Sequence, residues 1–154
     1  MSFTLQSAAF ADGERLPERF TLDGENHSPP LEWTGVPEGT ASFLVVMEDP
    51  DAPDGVFRHW GCCNIDRGRT ALPENVRESA RVPEARACVN DFDRARYDGP
   101  APPEGDGPHR YVFRIAALAV ADVDGAATYR IEDVWDEARR HLLGTAELTG
   151  LYER

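Results

Sequence analysis

The pattern of apolar and polar positions predicts a chain built mainly from strands, with one helix near its end. An apolar run at 42–48 has the length and the β-branched content of a strand buried on both faces. Similar patterns predict a second strand at 56–65 and a longer one at 109–120. Side chains in the longest segment should alternate between two faces, because successive residues of a strand point in opposite directions. One face carries His109, Tyr111, Phe113 and Ile115, and the other carries Arg110, Val112 and Arg114.

A helical pattern follows at 132–143. Apolar residues recur there at the spacing of one helix face, acidic residues open the segment and basic residues close it, which suits the helix dipole. Gly144 is the expected C-cap. A final strand is predicted at 145–150, whereas 73–95 is expected to be irregular with one short helix.

Loops rich in proline and glycine separate these elements, at 23–30, 49–55 and 97–108. The chain has 13 glycines and 12 prolines among 154 residues, which favours an all-β chain over a helical bundle. We therefore predict a mainly β fold: an antiparallel β-sandwich with one C-terminal α-helix and long Pro/Gly loops. The length suits a single domain over 1–154.

The charge balance narrows the classes of partner. The formal net charge is −12, and all 16 basic residues are arginine. An acidic chain repels phosphate backbones and anionic membrane surfaces, so we expect neither nucleic acid nor membrane insertion. The absence of lysine has two explanations: a GC-rich genome, or adaptation to high salt, in which acidic surfaces keep proteins soluble.

The cysteines and the amino terminus indicate a reducing compartment. Cys62, Cys63 and Cys88 are odd in number, and two of them are adjacent, which argues against a disulfide framework. They form no Cys-x-x-Cys pair, so no structural zinc is expected. No secretory signal is visible at the start, and a cytoplasmic location is the expectation.

Polar residues that can carry chemistry fall into three clusters. Asp49-Pro50-Asp51-Ala52-Pro53 holds two carboxylates on a stiff turn after a strand. His59 lies inside an apolar segment, and His109-Arg110-Tyr111 opens the longest strand. An imidazole and a phenol on one face, His109 and Tyr111, can form a seat for a phosphate or a carboxylate.

Each cluster also has a structural explanation or a competing chemistry. The aspartates can cap their own turn, and His59 can be a satisfied core residue. Two histidines and one aspartate also resemble a metal site, although the usual ligand spacings are missing. A serine hydrolase would need a nucleophile such as Ser28 or Ser42, but no Gly-x-Ser-x-Gly occurs.

Taken together, the clusters resemble the phosphatidylethanolamine-binding protein family, and in particular its small bacterial and archaeal branch, described as Raf-kinase-inhibitor-like. The resemblance covers nearly the whole chain. It is carried by Asp49-Pro50-Asp51-Ala52-Pro53, His59-Trp60, Gly107-Pro108-His109-Arg110-Tyr111, Ser28-Pro29-Pro30-Leu31-x-Trp33, Asn90-Asp91-Phe92, Gly99-Pro100-x-Pro102-Pro103 and Thr149-Gly150-Leu151-Tyr152.

The resemblance implies a β-sandwich with a small anion pocket at one sheet edge. Its ligand-binding residues would be Asp49, His59, His109 and Tyr111, with both histidines supplying hydrogen bonds or positive charge and Asp49 orienting a histidine. Pocket support would come from Pro50, Asp51, Pro53, Phe57 and Arg110. Pro53 matches a position that is often cis in the family, and Arg110 is expected to point away and to pair with Asp51.

The function that the resemblance implies is binding without catalysis, with no cofactor and no metal. The ligand would be a small anion or the phosphate of a phospholipid headgroup. A protein-interaction role, as an inhibitor of a kinase or protease acting through loops 66–81 and 93–106, is the alternative, and a hydrolase is the third. Asp93 and Asp98 replace glycines common in the family, and we expect them near the pocket mouth, where they would repel an anion.

Overall fold

The computed structural model describes residues 2–78 and 80–154, which form two antiparallel sheets and one α-helix. The smaller sheet has the order β1-β2-β5 and the larger one the order β6-β4-β3-β7-β8. In chain order the elements are β1 Thr4–Gln6, β2 Leu31–Thr34, β3 Ser42–Asp49, β4 Phe57–Asp66, β5 Ala71–Leu72, β6 Arg86–Ala87, β7 His109–Leu118, α1 Ile131–Arg139 and β8 Leu142–Tyr152, with 3-10 turns at Glu18–Phe20 and Val76–Glu78. The predicted mainly β class is confirmed.

The larger sheet is covered on both faces, which explains the unbroken apolar run of β3. One core lies between the sheets and includes Trp33 from β2 with Phe43 and Phe113 from β3 and β7. A second core lies between the larger sheet and α1, and includes Leu44 and Val134. Because both faces of β3 are buried against apolar side chains, its residues do not alternate between apolar and polar.

The predicted strands are found close to their expected positions. β3 and β4 match 42–48 and 56–65 within one residue at each end, and β7 ends two residues before the predicted 120. The buried face of β7 carries His109, Tyr111, Phe113 and Ile115, as alternation predicts. In the described part of the segment 73–95, which leaves out residue 79, the regular elements are a 3-10 turn and the two-residue β6. The short strands β1, β2 and β5 were not predicted.

The prediction for the end of the helix was wrong. α1 ends at Arg139, and the backbone N–H groups of Arg140 and His141 close the last turn onto Glu137 and Ala138. β8 then begins at Leu142, and Gly144 lies inside that strand rather than at a cap. The cause is strand pairing. From Leu142 onward β8 pairs with β7, and this pairing satisfies backbone groups that a longer helix would have used.

The proline-rich loop at 97–108 is tied to the body of the protein at its start. Tyr97 Oη donates a 2.6 Å hydrogen bond to the carbonyl of Phe20, and the Gly99 N–H donates one of 2.6 Å to Asn26 Oδ1. A Cβ atom at Gly99 would lie 2.2 Å from the Phe20 carbonyl oxygen, so only glycine permits this approach. The start of the loop is thereby held against the segment 20–26.

The three cysteines are buried and unpaired. Burial raises the pKa of the Cys62 thiol to about 12, so this thiol stays protonated and unreactive near neutral pH. Within the described ranges, no helix has the length and apolar character needed to cross a membrane.

Candidate functional site: a cavity at one edge of the larger sheet

A cavity of about 240 Å³ lies where the last residue of β3 meets the first residues of β4 and β7. All four predicted ligand-binding residues line it, namely Asp49, His59, His109 and Tyr111. Its wall also includes Ala52, Pro53, Phe57, Phe92, Ala101, Pro102 and Pro103. The lining therefore combines four polar side chains with largely apolar neighbours.

Antiparallel pairing brings these distant residues together. β3 lies between β4 and β7, so the carboxyl end of β3 meets the amino ends of both neighbours. Asp49 pairs with Phe57 across the β3–β4 ladder, and Glu48 pairs with Val112 across the β3–β7 ladder. Residues 49, 59 and 109 thus lie close together at the same end of the larger sheet.

The Asp49 carboxylate is held by a hydrogen bond within its own turn, and it contacts a histidine. Its Oδ1 accepts a 2.8 Å hydrogen bond from the Asp51 N–H, and its Oδ2 lies 2.7 Å from His109 Nδ1. The Asp49 and His109 side chains are both almost fully buried. The predicted orienting role of Asp49 thus has a specific partner, and that partner is His109.

His109 lies between two carboxylates. Its second ring nitrogen, Nε2, lies 2.5 Å from Asp106 Oδ2, so both nitrogens face acceptors. Burial opposes the charged ring, but the hydrogen bonds to Asp49 and Asp106 outweigh it and raise the pKa of His109 above its ordinary value. A histidine that donates from both nitrogens is an imidazolium.

His59 has the opposite environment. Its Nδ1 donates a 2.7 Å hydrogen bond to the Asp98 carbonyl, and its ring packs edge-on against Tyr111 with centroids 5.5 Å apart. Burial is the dominant influence and lowers the pKa of His59. Of the two roles expected of the histidines, donating a hydrogen bond or carrying positive charge, this environment disfavours the second for His59, and a neutral ring with its proton on Nδ1 presents Nε2 as an acceptor.

Tyr111 keeps its proton in this setting. Burial first, and the Asp49 carboxylate second, raise the pKa of the Tyr111 phenol above its ordinary value. The hydroxyl is therefore a hydrogen-bond donor at every physiological pH. Its ring stacks near His109, with centroids 6.4 Å apart.

Asp51 and Arg110 support the site from outside. Asp51 accepts from Arg110 Nε at 3.0 Å and from Nη2 at 2.9 Å, a bidentate pair. These hydrogen bonds lower the pKa of Asp51 to about 2. The predicted pairing is present, and it joins the turn after β3 to the start of β7.

The two prolines of this turn have different places. Pro50 directly follows the last residue of β3, where its missing N–H cannot continue the ladder. Pro53 lines the cavity, together with Phe57 from β4. The expected cis bond at Pro53 was wrong, because the peptide bond before Pro53 is trans.

The expectation for Asp93 and Asp98 was also wrong. The Asp98 side chain is fully buried behind His59, where its carboxylate accepts from Asn26, Asn90, Arg94 and Arg96. Exposed Asp93 lies 2.9 Å from an Arg130 guanidinium nitrogen. Neither residue lines the cavity.

Asp106 is the acidic residue that the sequence interpretation missed. It lies in the last turn before β7, three residues from His109. The Gly-Asp-Gly sequence predicted only a turn there, and nothing in it indicated a contact with the histidine. Phe92 was also missed, although it belongs to the Asn90-Asp91-Phe92 motif; its ring meets that of Phe57 with centroids 4.8 Å apart.

The competing chemistries gain no support from the geometry. Among the described residues, no three His, Cys, Asp or Glu side chains are grouped to hold a metal ion. Ser28 Oγ accepts from the Val76 N–H at 3.0 Å, and Ser42 Oγ donates to the Val120 carbonyl at 2.6 Å. Neither serine lines the cavity.

Fold and site together define a class of β-sandwich protein with a small, partly polar cavity at one sheet edge. A family model described as phosphatidylethanolamine-binding protein matches residues 6–153. The UPF0098 protein of Methanothermobacter thermautotrophicus is 45% identical over 152 residues, which are 97% of this chain and 98% of the relative. The chain belongs to the phosphatidylethanolamine-binding protein family, as its motifs predicted.

Solved structures agree with this assignment. The crystal structure of YbcL from Escherichia coli has a TM-score of 0.92 at 34% identity, over 99% of this chain and 98% of that one. A carboxypeptidase Y inhibitor, solved with its cognate proteinase, has a TM-score of 0.59 at 22% identity, over 98% and 82% of the two chains. At this level of identity, the similarity to the carboxypeptidase Y inhibitor shows only a shared fold.

Proposed function

We propose that the cavity binds the phosphate group of a small ligand, such as a phosphoethanolamine-like headgroup, without transforming it. The observation that carries this proposal is His109, a buried histidine whose Nδ1 lies 2.7 Å from Asp49 Oδ2 and which lines the cavity together with Tyr111. A fixed positive charge and a neutral donor on one wall complement the oxygens of a phosphate.

The other lining residues suit the rest of such a ligand. His59 offers an acceptor, which matches a protonated phosphate oxygen or the ammonium group of an ethanolamine. Pro53, Phe57 and Phe92 provide an apolar wall for a short organic tail. A volume of about 240 Å³ lies below the range of roughly 300–1,000 Å³ usual for drug-sized ligands, so the cavity suits a headgroup rather than a whole lipid.

Binding without catalysis agrees with the composition of the wall. The only hydroxyl among the lining residues belongs to Tyr111, whose raised pKa makes it a poor nucleophile. His109 can act as neither base nor nucleophile while both of its nitrogens donate to carboxylates. Turnover of a phosphate ester that is lost in His109→Ala would contradict this part of the proposal.

The alternative role, as a protein-interaction regulator, remains a prediction for loops 66–81 and 93–106. The second loop supplies Ala101, Pro102 and Pro103 to the cavity wall. A protein partner bound there would therefore compete with a ligand, whereas one bound at 66–81 would not.

The proposal is tested by thermal unfolding with inorganic phosphate and phosphoethanolamine, at an ionic strength matched with chloride. A ligand at 100 times its Kd stabilises a folded protein by about 2.7 kcal/mol, or a few degrees in Tm for this size. We expect this shift in the wild type and its loss in His109→Ala. His141→Ala, which removes a histidine outside the cavity, should respond as the wild type does. Equal shifts in all three proteins, or none in the wild type, would reject the proposal.

A further inference from the structure

The second ring nitrogen of His109, Nε2, is already in contact with a carboxylate. Nδ1 is held by buried Asp49, so an entering anion can reach only Nε2. Asp106 Oδ2 lies 2.5 Å from Nε2, although the Asp106 side chain is 43% exposed. Asp106 is not one of the residues that line the cavity, so its carboxylate holds Nε2 from outside the lining, and an anion in the cavity can use Nε2 only if this contact breaks.

The backbone around Asp106 permits this carboxylate to leave. Gly105 and Gly107 flank it with φ of +80° and +81°, and a Cβ atom at either position would meet nothing within 4 Å. Glycines in open space rotate at little steric cost. The Asp106 N–H donates only a long 3.2 Å hydrogen bond, to the Pro103 carbonyl.

We propose that Asp106 is a specificity-determining residue. Its carboxylate keeps free carboxylates from binding His109, whereas a phosphate displaces it. This inference rests on the proposed phosphate-binding function. It concerns which anions the same site excludes.

The exclusion follows from competition between like groups. A tethered carboxylate has an effective concentration of about millimolar or more, so a free carboxylate that makes the same hydrogen bond gains nothing by replacing it. A phosphate monoester carries a charge of about −1.5 to −2 at pH 7 and three acceptor oxygens. Its oxygens can accept from more than one donor, and both His109 and Tyr111 line the cavity.

The test compares acetate with inorganic phosphate by NMR, following the ring signals of His109 in the intact chain. The variants are Asp106→Ala and a matched control, Glu104→Ala, which removes the same charge from an exposed position on the same loop. In the wild type we expect phosphate, and not acetate, to move the His109 signals. In Asp106→Ala we expect acetate to bind as well, and phosphate to bind about tenfold more tightly, since a hydrogen bond to a charged group has been removed from competition. Glu104→Ala should change either affinity no more than about twofold, as for an exposed and screened charge.

Three results would overturn the inference. Phosphate affinity that is equal in the wild type and Asp106→Ala, with no gain for acetate, would show that Asp106 does not compete, while leaving the proposed function intact. An equal gain in Glu104→Ala would assign the effect to general charge. Absence of phosphate binding in every protein would reject the proposed function and this inference together.

Discussion

At the scale of single residues, the two cavity histidines hold their protons with different strengths. His109 donates to two carboxylates, and His59 donates to one neutral carbonyl. Both are buried, and burial alone disfavours the charged ring. The carboxylates reverse that effect for His109, so the pKa of its ring lies above that of His59.

This difference predicts opposite contributions of the two residues to stability against pH. The pKa of His109 is raised on folding, so its contribution is complete below the unfolded value of about 6.5 and is lost as pH rises through the folded pKa. The pKa of His59 is lowered, so its contribution is present above about 6.5 and is lost as pH falls. Ring NMR titration should place His109 above His59, and urea unfolding should show the stability advantage of wild type over His109→Gln shrinking at alkaline pH. A single midpoint shared by both rings would contradict this prediction.

At the scale of elements, the site depends on a loop that has no regular structure. Asn90 and Asp98 form a buried polar cluster in which Asn90 Nδ2 donates 2.8 Å hydrogen bonds to Asp98 Oδ2 and to the Arg96 carbonyl. The same loop presents the Asp98 carbonyl to His59. Strand β4 thus places the backbone of His59, and the hydrogen bond from this loop orients its ring.

The cluster predicts unequal costs for two chemically identical substitutions. Asp98→Asn replaces a fully buried carboxylate by an amide that must face donors, and should lower the free energy of unfolding by about 3 kcal/mol. Asp93→Asn alters an exposed ion pair and keeps a residue that tolerates its φ of 62°, so the cost should stay within about 1 kcal/mol. Urea unfolding of both variants checks the difference. Equal costs would mean that the buried cluster is not structurally important.

At the scale of the whole molecule, the acidic surface is the dominant feature. The chain has 28 acidic and 16 basic residues, and many arginines form surface ion pairs, as Arg114 does with Glu147. Such pairs contribute little individually, whereas a net charge of −12 repels itself over the entire surface.

The net charge predicts that salt stabilises the fold. Raising KCl from dilute to molar shortens the screening length from about 30 Å at 0.01 M to about 3 Å at 1 M, which weakens repulsion between exposed carboxylates. Tm measured by circular dichroism should therefore rise with KCl, most steeply at the low end. A falling Tm would show that attraction within the ion pairs outweighs the repulsion.

Patterns within about ten residues of sequence determined much of this protein. The alternation in 109–120 predicted the buried face of β7, and the apolar run at 42–48 predicted a strand covered on both sides, because burial of side chains depends on local periodicity. The motifs identified the family and several of the residues that line the cavity, among them Asp49, His59, His109 and Tyr111. The short strands β1, β2 and β5 escaped prediction because two to four residues carry too little pattern.

Tertiary structure alone decided what depends on contacts between distant segments. Strand pairing with β7 ended the helix at Arg139, where local propensity predicted continuation. The polar cluster around Asp98 turned a predicted mouth residue into a buried one, and a turn three residues before His109 placed Asp106 on its ring. Side-chain identity determines which hydrogen bonds are possible, but only the folded chain determines which partner lies within 3 Å and so which histidine holds its proton more strongly.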